Sequence, residues 1–176
     1  LAFKDAGSGL YNRRFFLEEL EVSVSKSKRD GAPIGLILID LDDFSKINNN
    51  HGHLVGDALI LDVASRIKSV FSRGGDIVAR YGGDEFVVMC HNIDLHALTN
   101  KCQEFVSVLH KDFAYQGFAV KTSASVGLCY SSCTDYIVAS DFIQEADSAM
   151  YEAKAAGKNS FKVCKSCIDA AKPKKT

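Results

Sequence analysis

The chain is predicted to fold as an α+β domain, with helices packed around one central, mostly antiparallel sheet. Three observations predict this. Stretches with helical spacing recur, as in Val55 to Phe71, where Leu59, Val63, Ile67 and Val70 fall on one side. Ile34 to Ile39 is a short, continuous apolar run, the pattern of a buried strand. Asp76 to Cys90 holds two strand-like runs around Gly82-Gly83, which reads as a hairpin.

The remaining elements follow the same logic. Asn12 to Ser27 is helical, with Phe16, Leu20 and Val24 on its apolar side, and Leu95 to Leu109 is a second such segment. Lys121 to Tyr130 alternates, with Thr122, Ala124 and Val126 set against Ser123 and Ser125, as a strand with one wet face would. Phe142 to Ala156 is a helix stopped by Gly157, and Phe161 to Val163 is a last short strand. The chain divides into one domain, 1–165, and a C-terminal tail, 166–176, whose Lys-Pro-Lys-Lys ending reads as disordered.

Composition narrows the function. The chain has 176 residues, 47% hydrophobic and 24% charged, enough for one domain with a real core. A net charge of −1 provides no global field for nucleic acid or an anionic membrane, so neither is an expected partner. There is no apolar stretch of spanning length and no signal peptide, which predicts a cytoplasmic domain. Of the six cysteines, those within apolar patterns are expected to be reduced core residues. Cys164-Lys165-Ser166-Cys167 stands as a lone C-x-x-C. With no second pair or histidine beside it, a metal or redox role is the weaker reading.

The chemistry-bearing motif is Arg80-Tyr81-Gly82-Gly83-Asp84-Glu85-Phe86. Adjacent glycines make a tight turn that lets a phosphate approach the backbone, and paired acids at a hairpin tip suit a divalent metal. Taken alone, such a segment is more often a solvated turn. The apolar run before Asp40-Leu41-Asp42-Asp43-Phe44 shifts the balance. Alternation along a strand places Asp40 and Asp42 on one face and Leu41 on the other. Carboxylates at a strand end and at a hairpin tip form the layout of a two-metal phosphoryl-transfer site.

These segments resemble the GGDEF family, the diguanylate cyclases. Asp40 to Phe44 with Asn48, Gly52-His53 and Gly56-Asp57 is similar to the family's D-x-D-x-F…N…G-H-x-x-G-D stretch. Ala146-Asp147, Tyr151, Ala153-Lys154 and Gly157-Lys158-Asn159 resemble its A-D-x-x-x-Y-x-A-K-x-x-G-[RK]-N segment, and Asp5 to Arg14 resembles its opening. The likeness runs to about Val163 in ordered motifs. It implies a palm-like nucleotidyl-cyclase fold and condensation of two GTP into cyclic di-GMP and two pyrophosphates. It also implies two Mg²⁺ or Mn²⁺ ions per active half-site and a homodimer in which each domain holds one GTP. Because the motif begins almost at Leu1, the chain reads as part of a longer regulatory protein.

By the same resemblance, Asp40, the Leu41 carbonyl and Asp84 are metal ligands. Glu85 either joins the second metal or assists deprotonation of the attacking hydroxyl. Gly82 and Gly83 lie against the nucleotide, and the amides of Asp42, Asp43 and Phe44 cradle its phosphates. Lys154 and Lys158 lie at i and i+4, on one helical face if the helix persists to Gly157, and would reach the terminal phosphates. Asn48 and Asp57 are assigned to the guanine base, because a carboxylate accepts from guanine N1–H and N2–H₂ together. Without the motif, Asn48 would read as a helix cap and Asp57 as a residue in the first turn of the Val55 helix. Arg73-Gly74-Gly75-Asp76 resembles the family's R-x-x-D inhibitory site, where Arg73 and Asp76 would bind the product.

Two other readings fit parts of this pattern. One is a weak or inactive GGDEF module that binds GTP or cyclic di-GMP and signals through partners. The other is a palm-fold cyclase making a 3′,5′-cyclic mononucleotide. The intact Asp40, Asp84, Glu85 and Lys154 favour the first enzyme over the binding module, and Asn48 and Asp57 disfavour the second cyclase.

Overall fold

The computed structural model describes residues 2–133 and 138–174. Its centre is β1 (Ile34–Leu41), the continuous apolar run, buried at nearly every position. A strand this apolar needs neighbours on both edges and cover on both faces. The edges are β3 (Glu85–His91) and β6 (Ala124–Tyr130), both antiparallel to it. Outside them lie β2 (Ile77–Arg80), antiparallel to β3, and β7 (Ser160–Val163), parallel to β6. The sheet order is therefore β2-β3-β1-β6-β7, mixed but mostly antiparallel, as expected.

Helices cover the sheet. α1 (Arg13–Asp30) begins where the Asn12 side chain accepts from the Phe15 amide at 2.9 Å, and it ends at Gly31 with φ 72°. α2 (Phe44–His51) and α3 (His53–Val70) follow β1. The side chains of Leu59, Val63, Ile67 and Val70 are all buried, matching the predicted stripe. α4 (Leu95–Leu109) is capped by Asp94, and α5 (Ala139–Ala155) lies across β6 and β1. The approach of α5 is close: a Cβ on Gly127 of β6 would strike the Ala146 carbonyl and the Met150 amide. No helix among the described residues is long and apolar enough to cross a membrane.

Two expectations need correction, and two features were not foreseen. β6 is buried along its whole length, so Ser125 does not face water. α4 and α5 both pack on this strand, and the serine hydroxyl is satisfied internally. The 166–176 segment is not wholly irregular: α6 spans Lys165–Ala170, and Cys167 is buried. The end of the expected tail, Lys175 and Thr176, lies outside the described residues. Not every cysteine is a free thiol: Cys133 joins Cys167 in a disulfide, while Cys90, Cys102, Cys129 and Cys164 are free and buried. Finally, β4 (Phe113–Tyr115) and β5 (Phe118–Val120) form a small separate hairpin that three-residue runs did not disclose.

Candidate active site at the end of the central strand

β1 delivers Asp40 and the β2–β3 hairpin delivers Asp84 and Glu85 to the same place. In the ladder, Asp40 is the direct partner of Glu85 on one side and of Ser125 on the other. The Leu41 amide donates to the Asp84 carbonyl at 3.0 Å, which draws the strand end against the hairpin tip. Tyr81 and Gly82 amides both donate to the Glu85 carbonyl, closing the turn. Neither Gly82 nor Gly83 takes a left-handed φ, so the expected conformational reason for them does not hold. At Gly82 the reason is room, since a Cβ there would press on Glu85 at 3.1 Å; nothing in the described residues crowds Gly83.

The acid cluster is electrostatically unfinished. Asp40 Oδ1 is buried with no hydrogen-bond partner among the described residues. Burial pushes the Asp40 carboxyl up to about 6; the Asp84 charge adds to this and the Lys154 ammonium opposes it. Burial likewise raises Glu85, with help from Asp84 and Asp147, against the pull of Arg13 and Lys154. An unpartnered buried oxygen among three carboxylates is a donor set for a hard divalent cation. Arg13 and Asp147 fall within the motifs quoted above, but nothing in the sequence placed them at the acid cluster. Arg13 sits 4.5 Å from the Tyr81 ring centroid, so it stands over the signature loop from α1.

Lys154 of α5 places Nζ 3.3 Å from Asp40 Oδ2 and 3.8 Å from Asp42 Oδ1, so the two aspartates converge on one ammonium. Asp42 itself is buried beyond the strand end. It accepts from the Ser123 and Ser125 hydroxyls, each at 2.6 Å, and from the Asn159 amide at 2.9 Å. Its own amide donates to the Ser123 carbonyl at 2.9 Å. This corrects the expected phosphate cradle: the Asp42 amide is committed to the Ser123 carbonyl just before β6, leaving those of Asp43 and Phe44 at the start of α2. Asp43 adopts φ 55° and pairs with Lys158 at 2.8 Å and Lys46 at 3.4 Å. Lys158 is not on the α5 face, because that helix ends at Ala155 and Lys158 has φ 63° beyond it. It reaches the site from the following turn.

The packing of α2 on α3 sets Asn48 against Gly56, the chain neighbour of Asp57. Gly56 makes the contact possible, since a Cβ there would collide with Asn48 Oδ1. That oxygen is buried and has no hydrogen-bond partner among the described residues. Its side chain is therefore not a cap. α3 begins at His53, which puts Asp57 past the first turn and exposed.

A family profile described as "Diguanylate cyclase, GGDEF domain" matches residues 2–160. The chain belongs to the GGDEF family. "Diguanylate cyclase DgcS" of Shewanella oneidensis is 35% identical over 162 residues, covering 92% of this chain and 53% of the relative. "Cyclic di-GMP phosphodiesterase PdeR" of Escherichia coli K12 is 34% identical, covering 92% of this chain and 24% of the relative. This GGDEF domain thus spans about half of the first of these proteins and a quarter of the second. The GGDEF domain of DgcB from Caulobacter crescentus, solved in complex with c-di-GMP, superposes with a TM-score of 0.88 at 25% identity, covering 93% of this chain and 96% of that one.

Elsewhere on this GGDEF domain, Arg73 and Asp76 form the turn between α3 and β2. The Arg73 amide donates to Asp76 Oδ2 at 3.0 Å, and its guanidinium donates to the Asn92 carbonyl at 3.1 Å. With Lys4 and Lys68 they line a cleft of about 290 Å³. Arg80, the first residue of the signature, ties the hairpin tip to the N-terminal segment: it donates to the Gly83 carbonyl at 2.7 Å and to Asp5 at 3.2 Å.

Proposed function

We propose that this GGDEF domain is a diguanylate cyclase, joining two GTP molecules into cyclic di-GMP with release of two pyrophosphates. The observation that carries the reading is the Asp40–Asp84–Glu85 cluster with its unpartnered Asp40 Oδ1. In each half-reaction a 3′-oxygen bonds to the partner's α-phosphorus, the bond to pyrophosphate breaks, and the hydroxyl proton leaves. Asp40, Asp84, Glu85 and the Leu41 carbonyl would hold Mg²⁺ or Mn²⁺. When bound, the metal supplies positive charge against the phosphate oxygens.

The chain's own residues do the rest. Asp43 and Phe44 amides at the start of α2 hold phosphate oxygens. Lys154 and Lys158 neutralise the triphosphate, and Lys154 also holds Asp40 in place. Glu85, half-buried and raised, is suited to receive the hydroxyl proton. Asn48 and Asp57 take the guanine edge. A carboxylate at Asp57 disfavours adenine, whose corresponding edge carries an acceptor. One nucleotide per domain requires two domains facing each other with C2 symmetry.

The Arg73–Asp76 cleft, with Lys4 and Lys68 at its wall, suits a dianionic guanine dinucleotide, so product would bind there away from the acid cluster. Incubation with GTP and Mg²⁺, with products resolved by mass, tests the whole reading. Cyclic di-GMP is the expected product. Unchanged GTP, or a 3′,5′-cyclic mononucleotide, overturns it.

A further inference from the structure

At the far end of β6 from Asp42, the fold gathers four cysteines from two sequence pairs. Cys129 is the last residue but one of β6 and Cys133 ends the following 3-10 turn, making a C-x-x-x-C pair. Cys164 follows β7 and Cys167 lies in α6, making the C-x-x-C pair. The C-x-x-C is therefore not alone: the parallel register that sets Leu128 beside Val163 also sets Cys129 beside Cys164. The Cys164 amide donates to the Leu128 carbonyl at 2.7 Å, and the Cys167 amide to the Cys164 carbonyl at 3.1 Å, which turns both thiols of that pair to one side. The sulfurs of Cys164 and Cys129 are 2.8 Å apart, those of Cys164 and Cys167 are 3.5 Å apart, and Cys133 is bonded to Cys167.

We propose that the reduced chain holds one zinc ion on Cys129, Cys133, Cys164 and Cys167. Both pair spacings fall in the range of structural zinc sites, and four thiolates with no open position make a closed site. Tetrahedral zinc with Zn–S of about 2.3 Å sets its sulfurs about 3.8 Å apart, so Cys129–Cys164 and Cys164–Cys167 need to open by about an ångström or less, while Cys133 and Cys167 part further once their bond is reduced. Cys129, Cys164 and Cys167 are buried, which keeps water from most of the metal's surface. Glu145 of α5 lies 3.2 Å from the Cys129 sulfur and also accepts from the Ser166 hydroxyl. It serves as an outer support that fixes α6 rather than as a ligand.

The chemistry balances simply. A dithiol reductant gives two electrons and two protons to the Cys133–Cys167 disulfide and is itself oxidised to a disulfide. Four thiols then bind Zn²⁺ and release four protons. The disulfide and the zinc site are thus alternative staples of α6 to β6, chosen by redox conditions. Glu145 belongs to the helix that also carries Lys154, so the staple holds the helix that serves the acid cluster.

The test uses the full chain, metal-free and reduced by a phosphine, titrated with cobalt(II) and then zinc. One equivalent of cobalt should give the sulfur-to-metal charge transfer and visible bands of a tetrahedral four-thiolate site, and one equivalent of zinc should erase them. Zinc should raise the melting temperature of the reduced chain and not of the oxidised one. Cys129→Ala, Cys133→Ala and Cys164→Ala should each weaken zinc by more than Glu145→Gln, whose loss as an outer support is at most about ten- to a hundredfold, while Cys102→Ala should leave the affinity unchanged. Octahedral cobalt, a spectrum with fewer thiolates, or unchanged affinity in the Cys133→Ala chain would overturn the site. The wild-type cobalt spectrum decides the matter even if a variant fails to fold. No readout involves GTP, so the result stands apart from the cyclase reading.

Discussion

Asp40 on β1 and Glu85 on β3 are direct partners across an antiparallel ladder. Opposed residues in such a pair project from the same face of the sheet, so two acids far apart in sequence arrive side by side. Asp84 adds a third negative charge next to them. In water such a cluster would repel itself, and here burial amplifies the cost. The arrangement makes sense as half of an ionic assembly completed by cations.

Asp84→Ala should therefore abolish cyclic di-GMP synthesis, by more than about a hundredfold, through loss of a metal ligand. The fold should survive, because the Asp84 carbonyl that anchors Leu41 is backbone and remains. Undiminished product formation would remove this hairpin from the reaction.

Magnesium should stabilise the wild-type chain thermally. At a hundred times its dissociation constant, a ligand of the folded state adds about 2.7 kcal/mol. Asp40→Asn removes one carboxylate charge and should cancel most of that shift. A variant that gains as much from magnesium as wild type would show that the cation sits elsewhere.

Asp57→Ser should weaken the preference for GTP over ATP. Guanine donors left without a carboxylate cost about 1–3 kcal/mol, roughly a tenfold to hundredfold loss of discrimination. Competition binding with the two nucleotides measures it, and an unchanged ratio would return Asp57 to the role of an exposed helix residue.

Asp42→Ala should destabilise the domain by about 3 kcal/mol. Two buried hydroxyls and the Asn159 amide would lose a charged acceptor, each worth about 1.5–3 kcal/mol before water repairs part of the loss. Urea midpoints of variant and wild type report this, and coincident curves would contradict it.

Arg73→Ala should relieve product inhibition and leave the initial rate nearly unchanged. Loss of a charge-assisted contact worth about 1.5–3 kcal/mol lowers product affinity roughly ten- to a hundredfold. Calorimetric titration with cyclic di-GMP is the check; equal affinities would leave Arg73 as a turn residue held by Asn92.

Much of this was legible in the residues. The Leu59–Val70 stripe and the Ile34–Ile39 run signal their own structure, because burial periodicity is local information. That Asp40 would meet Asp84 and Glu85 was legible because two acidic segments, one ending the Ile34–Ile39 run and one at the hairpin tip, answered each other. What could not be read was anything set by distant pairing. β6 looked half-exposed until both faces acquired helices. Asp42 looked like a phosphate-side residue until Ser123, Ser125 and Asn159 turned towards it. Lysines and proline made the tail look irregular, yet Cys167 pins its first turn. Cys129 and Cys133 seemed unrelated to the C-x-x-C because only the β6–β7 register places them beside it.

The three hydrogen bonds on Asp42 span 81, 83 and 117 residues of sequence. None can form until the last third of the chain has docked on the first. In kinetic terms the Asp42 network and the Lys154 contact to Asp40 are then late products of folding, assembled from pairings of high contact order rather than inherited from an early local nucleus. The same closure runs in reverse. A fluctuation that peels away β7 and the turn after α5 releases Asn159, Lys158 and Lys154 together, so catalytic competence should vanish in one cooperative opening while β1 and β3 keep their amides protected from exchange.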